Sequence, residues 1–253
     1  MGNLKVAFPE CKDGEFIRTA FRSVCNSMEQ GLLMFTWTHF SDAKLKQMFT
    51  LNEANLLKFK QANEQDKGIL WLIPHFCHSD SLSIIPAYTG TKTKVHALYR
   101  PLHNDVFNIF VKNTRERFGL ITIDRKDGGI LKTLKVLKRG NILVMLFDQN
   151  AGGAGTRLKF FDRECSCTTL PDILFEKYKP KVLFVYTRRR GFWKSTIEVE
   201  EMGELETNEL VIEKANRWLE NKLRSDVALR ESWLWMHQRW KPNVGQTRKG
   251  KIR

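Results

Sequence analysis

An unbroken apolar run from Ile69 to Ile73 restricts the fold of this chain more than any other stretch. The run has the length of a strand, Gly68 precedes it and Pro74 follows it. A strand without polar alternation is typical of a parallel sheet that is covered on both faces. Residues 141–147 (NILVMLF) have the same character. We therefore expect both segments to be fully buried strands.

Apolar strands alternate with amphipathic helical patterns along most of the remaining chain. Strands are predicted at 95–99, 120–123 and 182–187, with a candidate partner strand at 193–200, and helices at 106–118, 130–139, 172–179 and 209–224. This alternation predicts an α/β fold with a mostly parallel, mixed central sheet, helices on both faces and a C-terminal helical segment. We expect a single domain over 1–253, with a helical N-terminal part (1–65), an α/β core (66–200), and C-terminal helices with a basic tail (201–253).

The N-terminal part contains two helical patterns. A helix that Asp13 can cap has apolar residues on one face, which predicts packing on the core: Phe16, Ile17, Ala20, Phe21 and Val24. The stretch from Gly31 to Phe40 reads either as a buried continuation of that helix or as a helix that skims a membrane, and both interpretations stay open.

A histidine and an aspartate follow the first apolar run at a position that suits catalysis. Open α/β sheets bind ligands at the carboxyl edge of their strands, where His75 is expected. Ser79 is predicted to cap a helix, which places Asp80 in its first turn. A neutral imidazole can remove the proton of an attacking hydroxyl, and a carboxylate on its other ring nitrogen orients it. With His75 as base and Asp80 as orienting group, we expect transfer to an alcohol.

Two other interpretations of these residues stay open. His75 and Asp80 can form an ordinary polar pair without a catalytic role. A metal site is the second alternative, because His75, Cys77, His78 and Asp80 are all possible ligands. Their spacing matches no common zinc pattern, and no second cluster of cysteine and histidine follows in the sequence.

The balance of charge is strongly basic, with 42 Lys and Arg against 28 Asp and Glu, a formal net charge of +14. Such a chain attracts anionic partners: nucleic acid, acidic lipid or an acidic carrier protein. The 5 cysteines are scattered, and without a secretion signal they are expected to be reduced thiols in a cytosolic environment. No stretch contains the ~20 apolar residues that span a bilayer.

Three further polar stretches follow predicted strands. Arg100 can grip a phosphate or carboxylate through two hydrogen bonds, or form an ordinary surface salt bridge. Arg125 lies in the stretch DRKD, and Asp148 with Gln149 leads into the glycine-rich loop NAGGAG. That loop lacks the Lys-Ser/Thr of a P-loop and does not open a helix in the dinucleotide manner, so it matches neither nucleotide-binding motif.

The C-terminal part differs in composition. Three tryptophans (Trp233, Trp235 and Trp240) alternate with His237, Arg239 and Lys241. This composition suits a membrane–water interface or stacking on single-stranded nucleic acid. A packed tryptophan cluster beneath a basic, solvated tail is equally consistent with it.

Taken in order, these segments resemble the lipid A biosynthesis acyltransferases, the late lauroyl and myristoyl transferases of Gram-negative bacteria. His75-Phe76 with Asp80 is similar to the H-x4-D/E motif, Tyr99-Arg100-Pro101 to the YRP motif, and Asp148-Gln149 with Gly152 to the DQ…G motif. Further similar stretches are Asn3-Leu4 with Ala7-Phe8-Pro9, the stretch 124–127, Phe160-Phe161 with Thr168-Thr169, and 234–241. The ordered set covers nearly the whole chain and is far more specific than any single motif.

The resemblance implies a glycerol-phosphate-acyltransferase-like fold and transfer of a fatty acyl group from acyl carrier protein to a hydroxyl of a lipid A precursor. It implies His75 as general base, Asp80 as its orienting group, Arg100 at an anionic group of lipid or donor, and Arg125 and Asp148 in the same cleft. The expected partners are acyl carrier protein, an anionic glycolipid acceptor and the membrane surface, with no nucleic acid, metal or cofactor. The expected location is the cytoplasmic face of the bacterial inner membrane, with peripheral attachment.

Several departures from the family pattern leave the acceptor open. Members usually have a membrane anchor before the NL…AFP stretch, whereas this chain opens at Met1-Gly2-Asn3, which fits either a truncated sequence or a form bound only peripherally. Asp80 stands where lipid A enzymes more often have Glu, and Asp162 follows Phe161 where many relatives have Gly. One alternative is an acyltransferase for another glycolipid or phospholipid, with coenzyme A as a further candidate donor. The other is a non-catalytic protein that binds anionic lipid.

Overall fold

The computed structural model describes residues 2–63, 67–90, 93–126 and 128–241. The helices are α1 (Gly2–Ala7), α2 (Asp13–Thr36), α3 (Asp42–Met48), α4 (Glu53–Asn63), α5 (Pro86–Thr89), α6 (Asp105–Glu116), α7 (Gly129–Lys138), α8 (Leu170–Tyr178), α9 (Val211–Ser225) and α10 (Val227–Ser232). The strands are β1 (Phe49–Leu51), β2 (Ile69–Ile73), β3 (Val95–Tyr99), β4 (Ile121–Asp124), β5 (Ile142–Leu146), β6 (Thr156–Phe160), β7 (Arg163–Cys167), β8 (Lys181–Gly191) and β9 (Lys194–Glu201).

Seven of these strands form one sheet in the order β1-β9-β8-β2-β5-β3-β4. The five strands from β8 to β4 are parallel neighbours, β9 is antiparallel to β8, and β1 is parallel to β9. Two cores cover the two faces of the sheet and include side chains from the flanking helices. The predicted fold class, a mixed and mostly parallel sheet with a C-terminal helical segment, is confirmed.

The central strand β2 explains why its sequence has no polar alternation. Leu70 and Leu72 lie in one core, and Ile69, Trp71 and Ile73 lie in the other. Every side chain of the strand is therefore buried, whichever face it points to. Gly68 precedes the strand because a Cβ at this position would lie 2.6 Å from the carbonyl oxygen of Leu137.

Short or polar elements were not anticipated by the sequence patterns. The hairpin of β6 and β7 is one case, since its strands carry no long apolar run.

Ser79 is not a helix cap, because His78 takes the N-cap position with φ 66° and a 3-10 helix runs from Ser79 to Ile84. Asp80 lies in the first turn of that helix, as expected. Asp127 of the DRKD stretch lies outside the described residues.

Helix α2 turns a different face to the core from the one predicted. Its buried face contains polar side chains, with Ser23 donating to the carbonyl of Trp233 and Asn26 to the carbonyl of Glu231. Phe16 and Ala20 are buried as expected. The polar anchors leave other apolar side chains pointing outward, and we call these the α2 stripe: Ile17, Phe21, Val24, Met28, Leu32 and Phe35.

The α2 stripe has exposures between 38% and 65%, so the expectation that Ile17, Phe21 and Val24 pack on the core is wrong. The stretch 31–40 forms the end of α2 and a 3-10 helix at Trp37–His39, with Leu33 and Trp37 buried. Among the described helices, none has the length and apolar character needed to cross a bilayer.

Candidate active site

His75 and Asp148 follow the two central strands at the carboxyl edge of the sheet. Strands β2 and β5 are parallel neighbours, with Ile73 opposite Leu146. His75 comes two positions after Ile73, and Asp148 comes two positions after Leu146. The register of the two strands therefore brings His75 and Asp148 side by side. This edge is where open α/β sheets bind their ligands.

Three N–H groups point at the carboxylate of Asp148. The Nδ1 atom of His75 lies 2.6 Å from Oδ1. The backbone N–H of His75 (2.8 Å) and the indole N–H of Trp233 (2.7 Å) both donate to Oδ2. The side chain of Asp148 is 2% exposed and that of His75 is 22% exposed. Asp148 is therefore a buried anchor, and the imidazole is the member of the pair that reaches the cleft.

The pKa values of the two groups move in opposite directions. Burial acts to raise the pKa of the Asp148 carboxyl, but His75 and the N–H donors outweigh it and lower that pKa. Burial acts to lower the pKa of His75, but Asp148, with a smaller contribution from Asp80, outweighs it and raises that pKa. An ionised Asp148 on Nδ1 leaves Nε2 as the nitrogen that can accept a proton from substrate.

The structure corrects the expected partner of His75, because Asp80 does not hydrogen-bond to it. Oδ1 of Asp80 accepts a 2.8 Å hydrogen bond from Nε of Arg115, and Oδ2 accepts one of 2.9 Å from Gln30. The other ring nitrogen of His75, Nε2, is hydrogen-bonded to the side-chain amide nitrogen of Gln149 at 3.1 Å. The short helix that carries Asp80 places its carboxylate between α2 and α6, where a guanidinium neutralises it.

A cavity of about 300 Å³ lies beside His75. Its polar lining includes His75, Asp80, Arg100, Arg115, Arg125 and Gln149. Its apolar lining includes Trp71, Ile73, Leu82, Leu98, Leu120, Val144 and Leu146. The structure thus brings four of the five predicted site residues to one cavity, with the fifth, Asp148, directly behind His75.

Two arginines of this cavity carry unpaired positive charge. Arg100 and Arg125 are exposed, and within the described part of the chain neither guanidinium has an ion-pair or hydrogen-bond partner. Arg115 differs, because Asp80 pairs with it at 2.8 Å. An unpaired guanidinium can grip a phosphate or carboxylate through two parallel hydrogen bonds. The cavity therefore combines an apolar wall, a base and two groups that can bind an anion.

The tryptophan-rich segment after α10 packs on the core. Trp233 and Trp235 are 2% and 3% exposed, and their rings meet edge to face at 4.6 Å. Their interpretation as membrane-interface or base-stacking groups is therefore wrong, and the packed-cluster alternative is confirmed for these two residues. Residues 242–253 of the predicted basic tail lie outside the described residues.

The same segment supports the loop that carries Asp148, a role that composition did not reveal. The backbone N–H of Leu234 donates to the carbonyl of His75 (3.1 Å). Nε2 of His237 accepts a 2.8 Å hydrogen bond from the backbone N–H of Asn150. Burial is the first cause of a lowered pKa at His237, which favours the neutral ring that such an acceptor requires.

The possible metal ligands are grouped differently from the set that the sequence suggested. Among the described residues, Cys77 and His78 lie with Glu29 of α2 rather than with His75 and Asp80. Both ring nitrogens of His78 have partners, Ser195 at 2.8 Å and Glu29 at 2.9 Å. Arg189 pairs with the same carboxylate at 2.9 Å and places a positive charge where a cation would bind. These contacts form a hydrogen-bonded network that ties α2 to the sheet.

Comparison with known proteins identifies one family. A family model for bacterial lipid A biosynthesis acyltransferases matches residues 1–242. No curated protein matches the chain. The match covers every site residue described above, and it confirms the resemblance that the ordered motifs indicated.

Proposed function

Since this chain belongs to the bacterial lipid A biosynthesis acyltransferase family, we propose that it transfers a fatty acyl group from acyl carrier protein to a hydroxyl of a lipid A precursor. The observation that carries the proposal is the buried Asp148 carboxylate on Nδ1 of His75, with the imidazole lining an apolar-walled cavity. A base oriented in this way activates a hydroxyl, which is a weak nucleophile at neutral pH.

The proposed reaction needs one base and no covalent acyl-enzyme, because the thioester is already activated. The acceptor hydroxyl replaces the Gln149 amide near Nε2 of His75 and attacks the thioester carbonyl as Nε2 takes its proton. The tetrahedral intermediate then expels the carrier's thiolate, and the imidazolium returns the proton to that sulfur. The products are the ester and the carrier's free thiol. Asp148 stabilises the imidazolium between these two proton transfers.

Arg100 and Arg125 are the proposed anion-binding groups of the site. Both line the cavity, and a lipid A precursor carries phosphates whose geometry matches the guanidinium fork. The formal net charge of +14 favours approach to an anionic lipid surface and to an acidic carrier protein. The same charge supports both proposed substrates, so it does not separate the donor from the acceptor.

An acyl-transfer assay with purified protein tests this proposal. We expect mass spectrometry to show one acyl addition to a lipid A precursor with acyl carrier protein as donor, and much less with acyl-coenzyme A. Replacing Arg100 with alanine should raise KM for the phosphorylated precursor by about tenfold or more, since a hydrogen bond to a charged group contributes ~1.5–3 kcal/mol. For a precursor without phosphate, the variant and the wild type should differ little.

The control for Arg100→Ala is Lys159→Ala. Lys159 is a basic residue of β6 that does not line the cavity. Acylation of a phospholipid or another glycolipid in place of the precursor would contradict the proposed acceptor. Preference for acyl-coenzyme A would contradict the proposed donor. Lipid binding without transfer under all conditions would favour the non-catalytic alternative.

We propose that the α2 stripe rests on an anionic bilayer, in peripheral attachment at the cytoplasmic face of the inner membrane. Its last member, Phe35, stacks on Phe107 and Phe110 of α6 at 5.5 and 6.1 Å. The N-terminal end of α6 adds Val106 and Ile109, which are 79% and 56% exposed. Contiguous exposed apolar surface of this kind marks an interaction site, and apolar residues beside arginines are typical of interfacial helices.

The position of the stripe supports a lipid partner. Gln30 of α2 hydrogen-bonds to Asp80, and Arg115 of α6 lines the cavity. Arg22 is exposed on the same helix and complements anionic headgroups, whereas Arg18 pairs with Glu231 at 2.9 Å. A bilayer on this surface would present its lipids next to the proposed site.

Substitutions in the α2 stripe test this attachment. The double variant Phe21→Glu/Met28→Glu should bind phosphatidylglycerol-containing vesicles at least ~10-fold more weakly, because each buried apolar side chain contributes about 1.5–3 kcal/mol. Ile173→Glu on α8, which is also exposed, is the matched control and should bind normally. Vesicle sedimentation across a salt series measures the effect, and part of wild-type binding should resist salt.

Deletion of 242–253 provides the comparison with the basic tail. We expect it to remove mainly the salt-sensitive part of binding, since each basic residue contributes ~1 kcal/mol that ions screen. If the double variant binds like the wild type and the tail deletion abolishes binding, the stripe is not the attachment surface. A dimer in solution that the double variant disrupts would show instead that a second copy covers the stripe.

A further inference from the structure

Arg239 is a fully buried arginine with no carboxylate beside it. Its exposure is 0%, and within the described residues no Asp or Glu pairs with its guanidinium. The guanidinium donates to the carbonyls of Gln149 and Ser166, to Oδ1 of Asn216 and to Sγ of Cys167, and its Nε has no partner. Arginine stays protonated in proteins, and a buried charge is strongly unfavourable unless an opposite charge balances it.

Cys167 offers the atom that can carry this opposite charge. Its Sγ lies 3.1 Å from Nη2 of Arg239 and 3.1 Å from the amide nitrogen of Asn216. The Sγ of Cys165, two residues earlier on β7, lies 3.6 Å away and can donate its S–H. Two N–H donors thus converge on one sulfur, the S–H of Cys165 can be a third, and all three groups are buried.

We propose that Cys167 is held as a thiolate, that this thiolate is the counter-ion of Arg239, and that the ion pair positions the loop carrying Asp148 and Gln149. A thiolate is an acceptor of charge-assisted hydrogen bonds, so it satisfies the guanidinium in a way that a neutral thiol does not.

The charged and titratable groups around the pair agree with this assignment. The hydrogen bond from Cys165 is the largest cause that lowers the pKa of Cys167, and Arg239 and Asn216 act in the same direction against burial. The hydrogen bond to Cys167 is in turn the largest cause that raises the pKa of Cys165. Arg157 on the neighbouring strand β6 adds further positive charge near Cys165.

Two hydrogen bonds link Arg239 of the proposed ion pair to the loop that carries Asp148. Nη1 of Arg239 donates to the carbonyl of Gln149, and the side-chain amide of Asn150 donates to the carbonyl of Arg239 at 3.0 Å. Gln149 adjoins Asp148, and its own amide lies at Nε2 of His75. Cys167 is therefore a positioning residue for the proposed reaction, since it acts on the catalytic groups through Arg239.

The charge on Cys167 can be measured without any activity assay. In the wild type at neutral pH, the ultraviolet absorbance of about one thiolate should be present, disappear on unfolding at the same pH, and titrate below the ordinary thiol pKa of ~8.5. A neutral Cys167, with no such absorbance, would overturn the proposal. This measurement needs only wild-type protein, so a variant that fails to fold does not affect it.

The pH dependence of folding stability provides a second measurement. A depressed pKa in the folded state contributes stability above the unfolded pKa, and that contribution is lost as pH falls through the folded pKa. The difference in urea midpoint between wild type and Cys167→Ser should therefore widen as pH rises through the neutral range toward ~8.5. Cys165→Ser keeps a donor toward Cys167 and should show no comparable widening. A pH-independent difference for Cys167→Ser would contradict the thiolate.

The positioning role rests on the proposed function and is tested by kinetics. Cys167→Ser should lower kcat by on the order of 10²-fold, the effect of a misplacement near 1 Å, with KM nearly unchanged. Cys167→Asp, which restores a negative charge, should recover most of that loss, and Cys165→Ser should remain active. If serine supports turnover better than aspartate, the charge does not position the loop. A wild type that shows the thiolate but no acyl transfer would refute the proposed function and leave the ion pair standing.

Discussion

Replacing His75 with alanine is expected to lower the rate of acyl transfer by about 10²–10⁴-fold, the range typical for loss of a general base. The imidazole lines the cavity and is the exposed member of the pair with Asp148. Without it, the acceptor hydroxyl has no group that removes its proton during attack. Steady-state kinetics with a saturating acyl donor measures this effect, which should appear mainly in kcat.

Two controls separate lost chemistry from lost structure in this variant. His103→Ala makes the same chemical change on an exposed loop residue and should leave the rate unchanged. Added imidazole should restore part of the activity of His75→Ala, because a small base can enter the space left by the side chain. A folded His75→Ala protein that transfers acyl groups at a near-normal rate would rule out the mechanism.

Replacing Asp148 with asparagine is expected to lower kcat by about 10³–10⁴-fold, the effect seen when the orienting carboxylate of a catalytic histidine is neutralised. The carboxylate accepts hydrogen bonds from the ring and backbone of His75 and from Trp233. An amide there loses the negative charge that stabilises the imidazolium, and its NH₂ group faces N–H donors. Asp80→Asn should have a much smaller effect on kcat, since Asp80 pairs with Arg115.

The pH dependence of the rate distinguishes this role from simple support of the fold. His75 acts as a base only when neutral, so the wild-type rate should rise with pH through its pKa, which Asp148 raises. In Asp148→Asn that pKa loses its main raising influence, and the residual activity should reach its plateau at lower pH. An unshifted profile, or a larger loss for Asp80→Asn than for Asp148→Asn, would return the orienting role to Asp80.

Local patterns were sufficient for the long apolar strands and for the position of His75, the proposed base. The run from Ile69 to Ile73 predicted a strand covered on both faces, because it has the length of a strand and contains no polar residue. His75 could then be placed at the carboxyl edge of the sheet from its position in the chain. The ordered motifs also identified the family, because each motif is a short stretch that can be recognised in the sequence without knowledge of tertiary contacts.

The face of α2 needed information from elsewhere in the fold. Its sequence has apolar residues on two opposite sides, and helical spacing does not say which side meets the core. The polar anchors Ser23 and Asn26 find their partners on the C-terminal segment, and Glu29 finds its partners in the loop after β2 and on β8. Those partners are far away in sequence, so only the folded chain shows that the other apolar side faces outward.

The hydrogen-bond partner of His75 was decided by the order of strands in the sheet. On sequence, Asp80 is five residues from His75 and Asp148 is far away, so proximity along the chain favoured Asp80. The pairing of β2 with β5 reverses this, because the register places Asp148 beside His75 while Arg115 and Gln30 hold Asp80. Sequence determined the long apolar strands, the place of His75 after one of them and the family, because these depend on neighbours along the chain. Tertiary structure alone decided the pairing of His75 with Asp148, the outward face of α2 and the burial of Arg239 beside Cys167, because each depends on partners that only folding brings together.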